Sequence, residues 1–444
     1  MSGHRPIPPE WRAARRILAV RLDNLGDVLL MTPAIHAIRE SLPDAGITLL
    51  ASEVGAQAGR LNPDLADVII YQSPQMDPWA RLPQDSAREQ RMIALIKERR
   101  FDGAIIFTSF RQSALPAAYL CYLADIPLRL AASIDGSGSL LTTHHRHPEH
   151  MMHEVERALD LVGAVGLTTS QLDLVLEVPY AARAEMRDWR LEIVKDRSLI
   201  SDLPSPLVVV HPGCSMPART YPWELFAEVV GLLVEQLRAT VALTGAAHER
   251  ELIERIYGRL PRAARRRVLP LAGALPFEGF CALIEAADLT ITNNTGPMHV
   301  AAAVKTPVAA LFALTNPPEQ WRPWRAPHRL LYHNVPCRIC YSRVCPYEHE
   351  CLHLVTPAMV IDAAADLLAG GEAQELASGA QPAQSRSMLS LTAGQLPGAR
   401  PTRHPSSSAI PSALGQSWEL GAENLEAEEF GWRLGAGWRL GGKP

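Results

Sequence analysis

Two short segments of this chain have the residue types and spacing to grip an anion. Residues 289–292 form an apolar run, followed by the polar turn Asn293-Asn294-Thr295-Gly296-Pro297 and the small-residue stretch 298–303. A strand that ends in such a turn and restarts as a helix leaves backbone N–H groups unpaired. It also aims the positive end of a helix dipole at one place, where a phosphate sits well. The plainer alternative is that Asn294 or Thr295 caps an ordinary helix, the usual work of these residue types. A second strand-turn-helix of similar design occupies residues 16–30. Two such turns in separate halves point to one ligand held from both sides.

A third chemical signal is Cys337-x2-Cys340-x4-Cys345-x5-Cys351, with His349 and His353 nearby. Four thiols at this spacing suit a structural zinc, with an iron–sulfur cluster or simply packed thiols as the other readings. Cys121, Cys214 and Cys281 lie in or beside apolar segments and are expected to be buried. The His-rich run 144–150 has no fixed helical face and reads as a solvated loop.

The elements that must position these residues follow from alternation. The 444 residues are 47% apolar and 20% charged, an ordinary soluble profile with room for two domains. A formal net charge of -4 gives no general basic field, which argues against nucleic acid as a partner. Residues 1–16 lack a signal-peptide core and no run is long enough to cross a bilayer, so a cytoplasmic chain with reduced thiols is expected. Strands are predicted at 16–22, 46–52, 66–72 and 103–108, with helices over about 27–41 and 87–100. A charged segment at 182–197 leads to a linker at 201–206. The rhythm then restarts, with strands at 207–211, 240–244, 267–271, 289–292 and 306–312 and helices at 223–237, 248–260 and 277–286.

This βαβ alternation implies an α/β fold of two doubly wound parallel sheets, with strand C-terminal ends facing a shared cleft. The organisation expected is a flexible 1–15, an acceptor-side Rossmann-like domain at 16–200, a nucleotide-sugar domain at 201–369 that includes the Cys cluster, and a disordered tail at 370–444. Gly-Trp-Arg-Leu-Gly occurs twice in that tail, at 431 and 437, too few copies for a solenoid.

Leu25-Gly26-Asp27-Val28 with Thr32-Pro33-Ala34, His211-Pro212-Gly213 with Arg219-Thr220-Tyr221-Pro222, Leu243-Thr244-Gly245 with His248-Glu249, and Asn294-Thr295-Gly296-Pro297-Met298-His299 stand in this order. Together they resemble family 9 glycosyltransferases, the heptosyltransferases of lipopolysaccharide core assembly, over about residues 16–368. The resemblance implies a GT-B arrangement, a nucleotide-diphosphate sugar donor such as ADP-heptose, and inversion at the anomeric carbon with no cofactor required for catalysis. It also implies a lipid-linked glycan acceptor and peripheral contact with the inner membrane.

Sugar transfer needs a carboxylate within reach of the acceptor hydroxyl. The resemblance assigns that general base to Asp27, with Asp23 as runner-up. The competing reading of Asp27 is a favourable charge in a first helical turn. Charge on the departing diphosphate would be met by Arg219, Ser215, Thr295, Gly296, Met298 and His299. Glu249 aligns with a ribose-binding carboxylate and Leu275 with a base-packing side chain, while Glu249 reads equally well as part of a solvated helix face. Arg111, Gln112 and Ser113 fall on an acceptor-facing segment where some members carry Lys. One departure is Asn294, where the family commonly has Asp; the loss of charge keeps a non-catalytic nucleotide-sugar-binding homologue open. A nucleotide-sugar hydrolase or epimerase on the same fold is the other alternative.

Overall fold

Apolar runs that end in polar turns become parallel strands whose carboxyl ends collect the polar residues. A computed structural model describes residues 5–76, 82–195, 205–371 and 374–378. The first sheet contains β1 (Arg16–Arg21), β2 (Gly46–Ala51), β3 (Asp67–Ile70), β4 (Gly103–Ile106), β5 (Leu128–Ala132) and β6 (Thr143–His145), in the order β3-β2-β1-β4-β5-β6. The second contains β7 (Leu207–His211), β8 (Thr240–Gly245), β9 (Val268–Ala272), β10 (Leu289–Asn293), β11 (Val308–Leu311), β12 (His328–His333) and β13 (Gln374–Ser378), in the order β13-β12-β11-β10-β7-β8-β9. Every pairing is parallel. The central strands are covered on both faces, so they are mostly apolar, with their polar residues at strand ends or, in β10, as the buried Thr290 and Thr292.

Strand order reverses between β1 and β4 and again between β7 and β10. In open parallel sheets this switch is where chain connections depart in opposite directions and leave a crevice for a ligand. The turns after these strands are therefore the places to look for chemistry.

The helix expected over 27–41 is two helices, Leu25–Leu30 and Thr32–Ser41. Pro33 lacks the N–H that would bond to Leu29. The Thr32 hydroxyl donates to that carbonyl instead, at 2.7 Å. The charged segment at 182–197 is mostly a helix, Tyr180–Lys195, and 196–204 lie outside the described residues. Ala182, Met186 and Trp189 are spaced to share one buried face, in the core that also holds Cys281, Leu283 and Ile284 of the helix Phe277–Ala286. Arg183 reinforces that contact with a two-bonded fork to Glu285 at 2.6 and 2.7 Å. Most of the expected linker, 201–204, lies outside the described residues, as do 1–4.

The same core joins Ile35 of the helix Thr32–Ser41 and Ile105 of β4 to Ala242 and Ala310 of the second sheet. A smaller cluster brings Leu30 and Val155 against Ala302, Ala303 and Ala326. The second sheet continues through residues 374–378, past the boundary expected at 370, while 379–444, with both five-residue repeats, lie outside the described residues. Among the described residues, no helix is long and apolar enough to cross a membrane.

Candidate active site at the two switch points

Arg21 ends β1 with its guanidinium buried, only 3% exposed, after the apolar residues Ile17 to Val20. Three carboxylates surround it: Asp23 at 2.6 Å, Asp27 at 3.1 Å and Glu154 at 3.9 Å. Burial opposes its charge, but these carboxylates outweigh burial and raise its pKa above the usual arginine value. Ser109, just after β4, accepts from Arg21, donates to Asp23 at 3.0 Å and lies 3.3 Å from Asp27. Both sides of the first switch point thus converge on Asp27.

Asp27 is held by more than charge. Its Oδ2 accepts from the Asn24 backbone N–H at 3.1 Å, closing the start of the helix Leu25–Leu30, while Oδ1 faces Arg21. Asp23, the runner-up, lies in the turn after β1 and is buried in the same network. Burial raises its pKa to about 6, with Arg21 pulling it down and Asp27 pushing it up.

At the second switch point, Thr295 occupies the cap position of the helix Gly296–Ala303 but makes no side-chain capping bond. Asn294 donates its amide to Asn316 Oδ1 at 3.2 Å, and Thr315 donates to the same oxygen at 3.1 Å. Neither side chain acts as the conventional cap weighed against phosphate binding. Arg219 donates its Nε to Thr315 Oγ1 at 3.0 Å, so Asn294 belongs to the chain of bonds that sets the arginine. An Asp at 294 has no N–H to donate into that chain. Asn293 fixes the Arg219 turn from beneath, accepting from Tyr221 N at 3.0 Å and donating to Pro212 O at 2.8 Å.

The two switch points meet. A Cβ on Gly26 would stand 2.6 Å from His299 Cδ2, and one on Gly296 would stand 3.2 Å from Leu25 Cδ2. Asp27 and Arg219 both act electrostatically on His299, and Asp27 acts on Arg219. Glu154 bridges the halves as well, since Gln320 of the second half donates to its Oε1. His299 is buried, and its Nδ1 has no hydrogen-bond partner among the described residues. A buried orphan nitrogen beside uncapped helix N–H groups is the signature of a place built for an acceptor.

Burial holds the His299 pKa down at about 4, with Asp27 pulling upward and Arg219 downward. Because the folded state binds fewer protons than the unfolded chain between the ordinary value of 6.5 and about 4, stability falls as pH falls through that window. The slope contributed is up to about 1.4 kcal/mol per pH unit. Thermal melts from pH 7 to 4.5 are expected to show a shallower fall for His299→Gln than for the parent. Parallel curves would remove His299 from the pH response.

Glu249 reaches over the loop after β7, where a Cβ on Gly213 would run into its carboxylate, and accepts from Ala246 N at 2.7 Å. It lies 3.8 Å from His211 Nε2, so it faces the ends of β7 and β8 rather than bulk solvent. Leu275 is half-buried against the core near Phe277 and Phe280. Ser215 is exposed on the loop before Arg219, and Met298 is buried in the helix that begins at Gly296.

The three acceptor-side residues separate in role. Gln112 accepts from Ser109 N at 2.8 Å and Ser113 accepts from Leu115 N at 3.3 Å, so both stabilise local turns. Arg111 is exposed and stacks 4.5 Å above the Tyr341 ring. Tyr341 belongs to the Cys-containing loop, which also supports the Arg219 turn: Arg343 O accepts from Ala218 N at 2.9 Å and Thr315 O from Tyr341 N at 2.8 Å.

Cys337, Cys340, Cys345 and Cys351 line one small pocket with Thr315 and Glu350. Among the described residues, no three of these sulfurs come within 4.8 Å of one another, so the thiols share a pocket without sharing a point. Burial raises the thiol pKa of Cys337 and of Cys351, favouring the protonated form. As expected, Cys121 and Cys281 are buried; Cys214 is partly buried.

Arg21, Glu154, Gln320, Thr315 and Asn316 were not among the candidates drawn from sequence. Only Arg21 carried a local signal, a charge closing an apolar parallel strand.

The sequence profile of glycosyltransferase family 9 (heptosyltransferase) matches residues 90–350. A lipooligosaccharide heptosyltransferase 2 of Campylobacter jejuni is 24% identical over 349 residues, covering 78% of this chain and 95% of the relative. Lipopolysaccharide heptosyltransferase 3 of Escherichia coli is 26% identical over 304 residues, covering 67% and 82%. Two solved structures share the fold. A family 9 glycosyl transferase from Veillonella parvula superposes with a TM-score of 0.67 at 19% identity, covering 83% of this chain and all of the other. The E. coli ADP-heptose lps heptosyltransferase II gives 0.62 at 22% identity, covering 80% and 99%.

Proposed function

Because the chain belongs to glycosyltransferase family 9, we propose that it moves a heptose-like sugar from a nucleotide-diphosphate donor, ADP-heptose in this reading, to a lipopolysaccharide-core or related lipid-linked glycan. The observation that carries the reading is the meeting of Asp27 from the first switch point with His299, Gly296 and Arg219 from the second.

In this mechanism the Asp27 carboxylate takes the proton of an acceptor hydroxyl as that oxygen attacks the anomeric carbon from the face opposite the diphosphate, giving inversion. Charge growing on the departing phosphate oxygen meets Arg219, the backbone N–H groups of Gly296 and Met298, and one ring N–H of a neutral His299. Ser215 and Thr295 add hydroxyls, Glu249 takes the ribose, and Leu275 packs on the base. These groups supply the positive field directly, so the transfer step is assigned to the protein alone, with no metal required for it. The exposed Arg111 is the acceptor-side residue whose charge suits an anionic glycan. The enzyme would work in the cytoplasm, at the inner face of the membrane by peripheral contact, where such an acceptor is presented.

Donor binding is tested by thermal shift. A ligand that binds only the native state raises the melting temperature by mass action. ADP and ADP-heptose are expected to stabilise the protein more than the UDP, GDP or dTDP counterparts, and Arg219→Ala to weaken ADP binding by about 10- to 100-fold, about 1–3 kcal/mol for a lost charged hydrogen bond. No shift with any nucleotide, or the same shift in Arg219→Ala, would overturn the donor site. Stoichiometric free sugar without acceptor would favour a hydrolase, and binding without turnover on any acceptor a non-catalytic homologue.

A further inference from the structure

Two of the histidines expected in a solvated loop, His145 and His147, are instead drawn inward, while His144 and His150 stay exposed. His145 ends β6, His147 follows two residues later, and Asp160 lies on the helix Glu154–Gly163. His145 Nε2 lies 2.6 Å and His147 Nδ1 2.7 Å from the same carboxylate oxygen, Asp160 Oδ2. The two rings meet edge to face with centroids 5.1 Å apart. All three side chains are partly buried, at 18%, 12% and 28% exposure. Among the described residues this is the set whose three ligand atoms all lie within 4.8 Å of one another.

We propose that His145, His147 and Asp160 form a binding site for a divalent transition-metal ion. Two imidazole nitrogens and one carboxylate oxygen, with further positions open to water, match the preferences of zinc and its first-row neighbours. Magnesium and calcium, which seek oxygen ligands, are poorly matched. In the metal-free protein both imidazoles are hydrogen-bonded to the same Asp160 oxygen; an ion seated among the three atoms replaces those bonds.

Arg157, on the same helix and electrostatically coupled to His147 and Asp160, pairs with Glu154 Oε1 at 3.3 Å and places its guanidinium 5.7 Å from the Phe110 ring centre. An ion here would fasten the segment after β6 to the helix that carries Glu154, and Glu154 is a neighbour of Arg21. The proposal stands independently of the transfer reaction. It is also separate from the Cys337–Cys351 pocket, for which the sequence suggested a structural zinc.

The test uses full-length protein stripped with a chelator, then titrated with zinc by calorimetry and with cobalt(II) by visible absorption. The parent and a Cys337→Ser, Cys340→Ser variant are both expected to bind an equivalent of zinc that a His145→Ala, His147→Ala variant loses. The cobalt spectrum of that equivalent should lack thiolate charge-transfer bands. Asp160→Asn guards against misfolding: with its metal-free melting temperature unchanged, it should bind this equivalent at least tenfold more weakly and lose the zinc-induced thermal shift. A histidine or Asp160 variant that binds as much zinc as tightly as the parent would overturn the proposal. So would a parent that binds none, or one whose whole zinc content disappears in the cysteine variant.

Discussion

Asp27→Asn is expected to lower the turnover of sugar transfer by about 10²- to 10⁴-fold, the range a positioned general base supplies. Asparagine keeps an oxygen to accept from Asn24 N, the bond that closes the helix start, so melting temperature and ADP affinity should change little. The fall should therefore appear in kcat, with the donor KM nearly constant. Asp23→Asn provides the comparison, because its carboxylate lies in the same network and its pKa of about 6 also suits a base. Asp23 is clasped by Arg21 at 2.6 Å and by Ser109 at 3.0 Å, which leaves it little freedom to receive a proton from substrate. A smaller loss for Asp23→Asn than for Asp27→Asn is expected. The reverse order would transfer the role to Asp23.

Arg21→Met should be the most damaging single change to stability. It leaves Asp23, Asp27 and Glu154 facing one another around a buried methionine without their shared cation. Breaking a buried ion pair from one side typically costs about 3–5 kcal/mol, because the remaining charge stays desolvated. Chemical denaturation should register that loss as a lowered midpoint with little change in slope. Adding Asp23→Asn to Arg21→Met should restore part of it, since one of the stranded charges is gone. Strictly additive effects would mean that the network does not act as a unit.

The strands at the switch points were legible because a parallel strand buried on both faces is mostly apolar and β-branched, as 207–210 and 289–292 are. β5 was harder to see because Arg129 is the second of its residues. That arginine is buried by bonds to the carbonyl oxygens of Ile126, Ser139 and Leu140, a solution visible only once the following turn is folded. The helix Tyr180–Lys195 was hidden by its charges; three apolar residues on one face decide its packing. Within the site, Asp27, Arg219 and the Gly296–Ala303 helix start carry sequence patterns because they sit on tight turns with restricted residue choice. Glu154, Gln320, Thr315 and Asn316 lie on segments with no such restriction, and their importance comes from neighbours 22 to 166 residues away in sequence. The histidine run misled for a related reason: alternation along 144–147 is what a strand end needs to send His145 and His147 toward Asp160, whereas a helical face was the pattern sought.

Gly26 determines how near the reacting partners can be brought. Any larger residue there would strike the His299 ring at 2.6 Å, so the separation between acid residue and anion cradle is gauged by a missing methyl group. The chain therefore carries a natural point for propping its jaws apart: Gly26→Ala would act as a wedge that removes none of the polar groups while widening the distance over which they must cooperate.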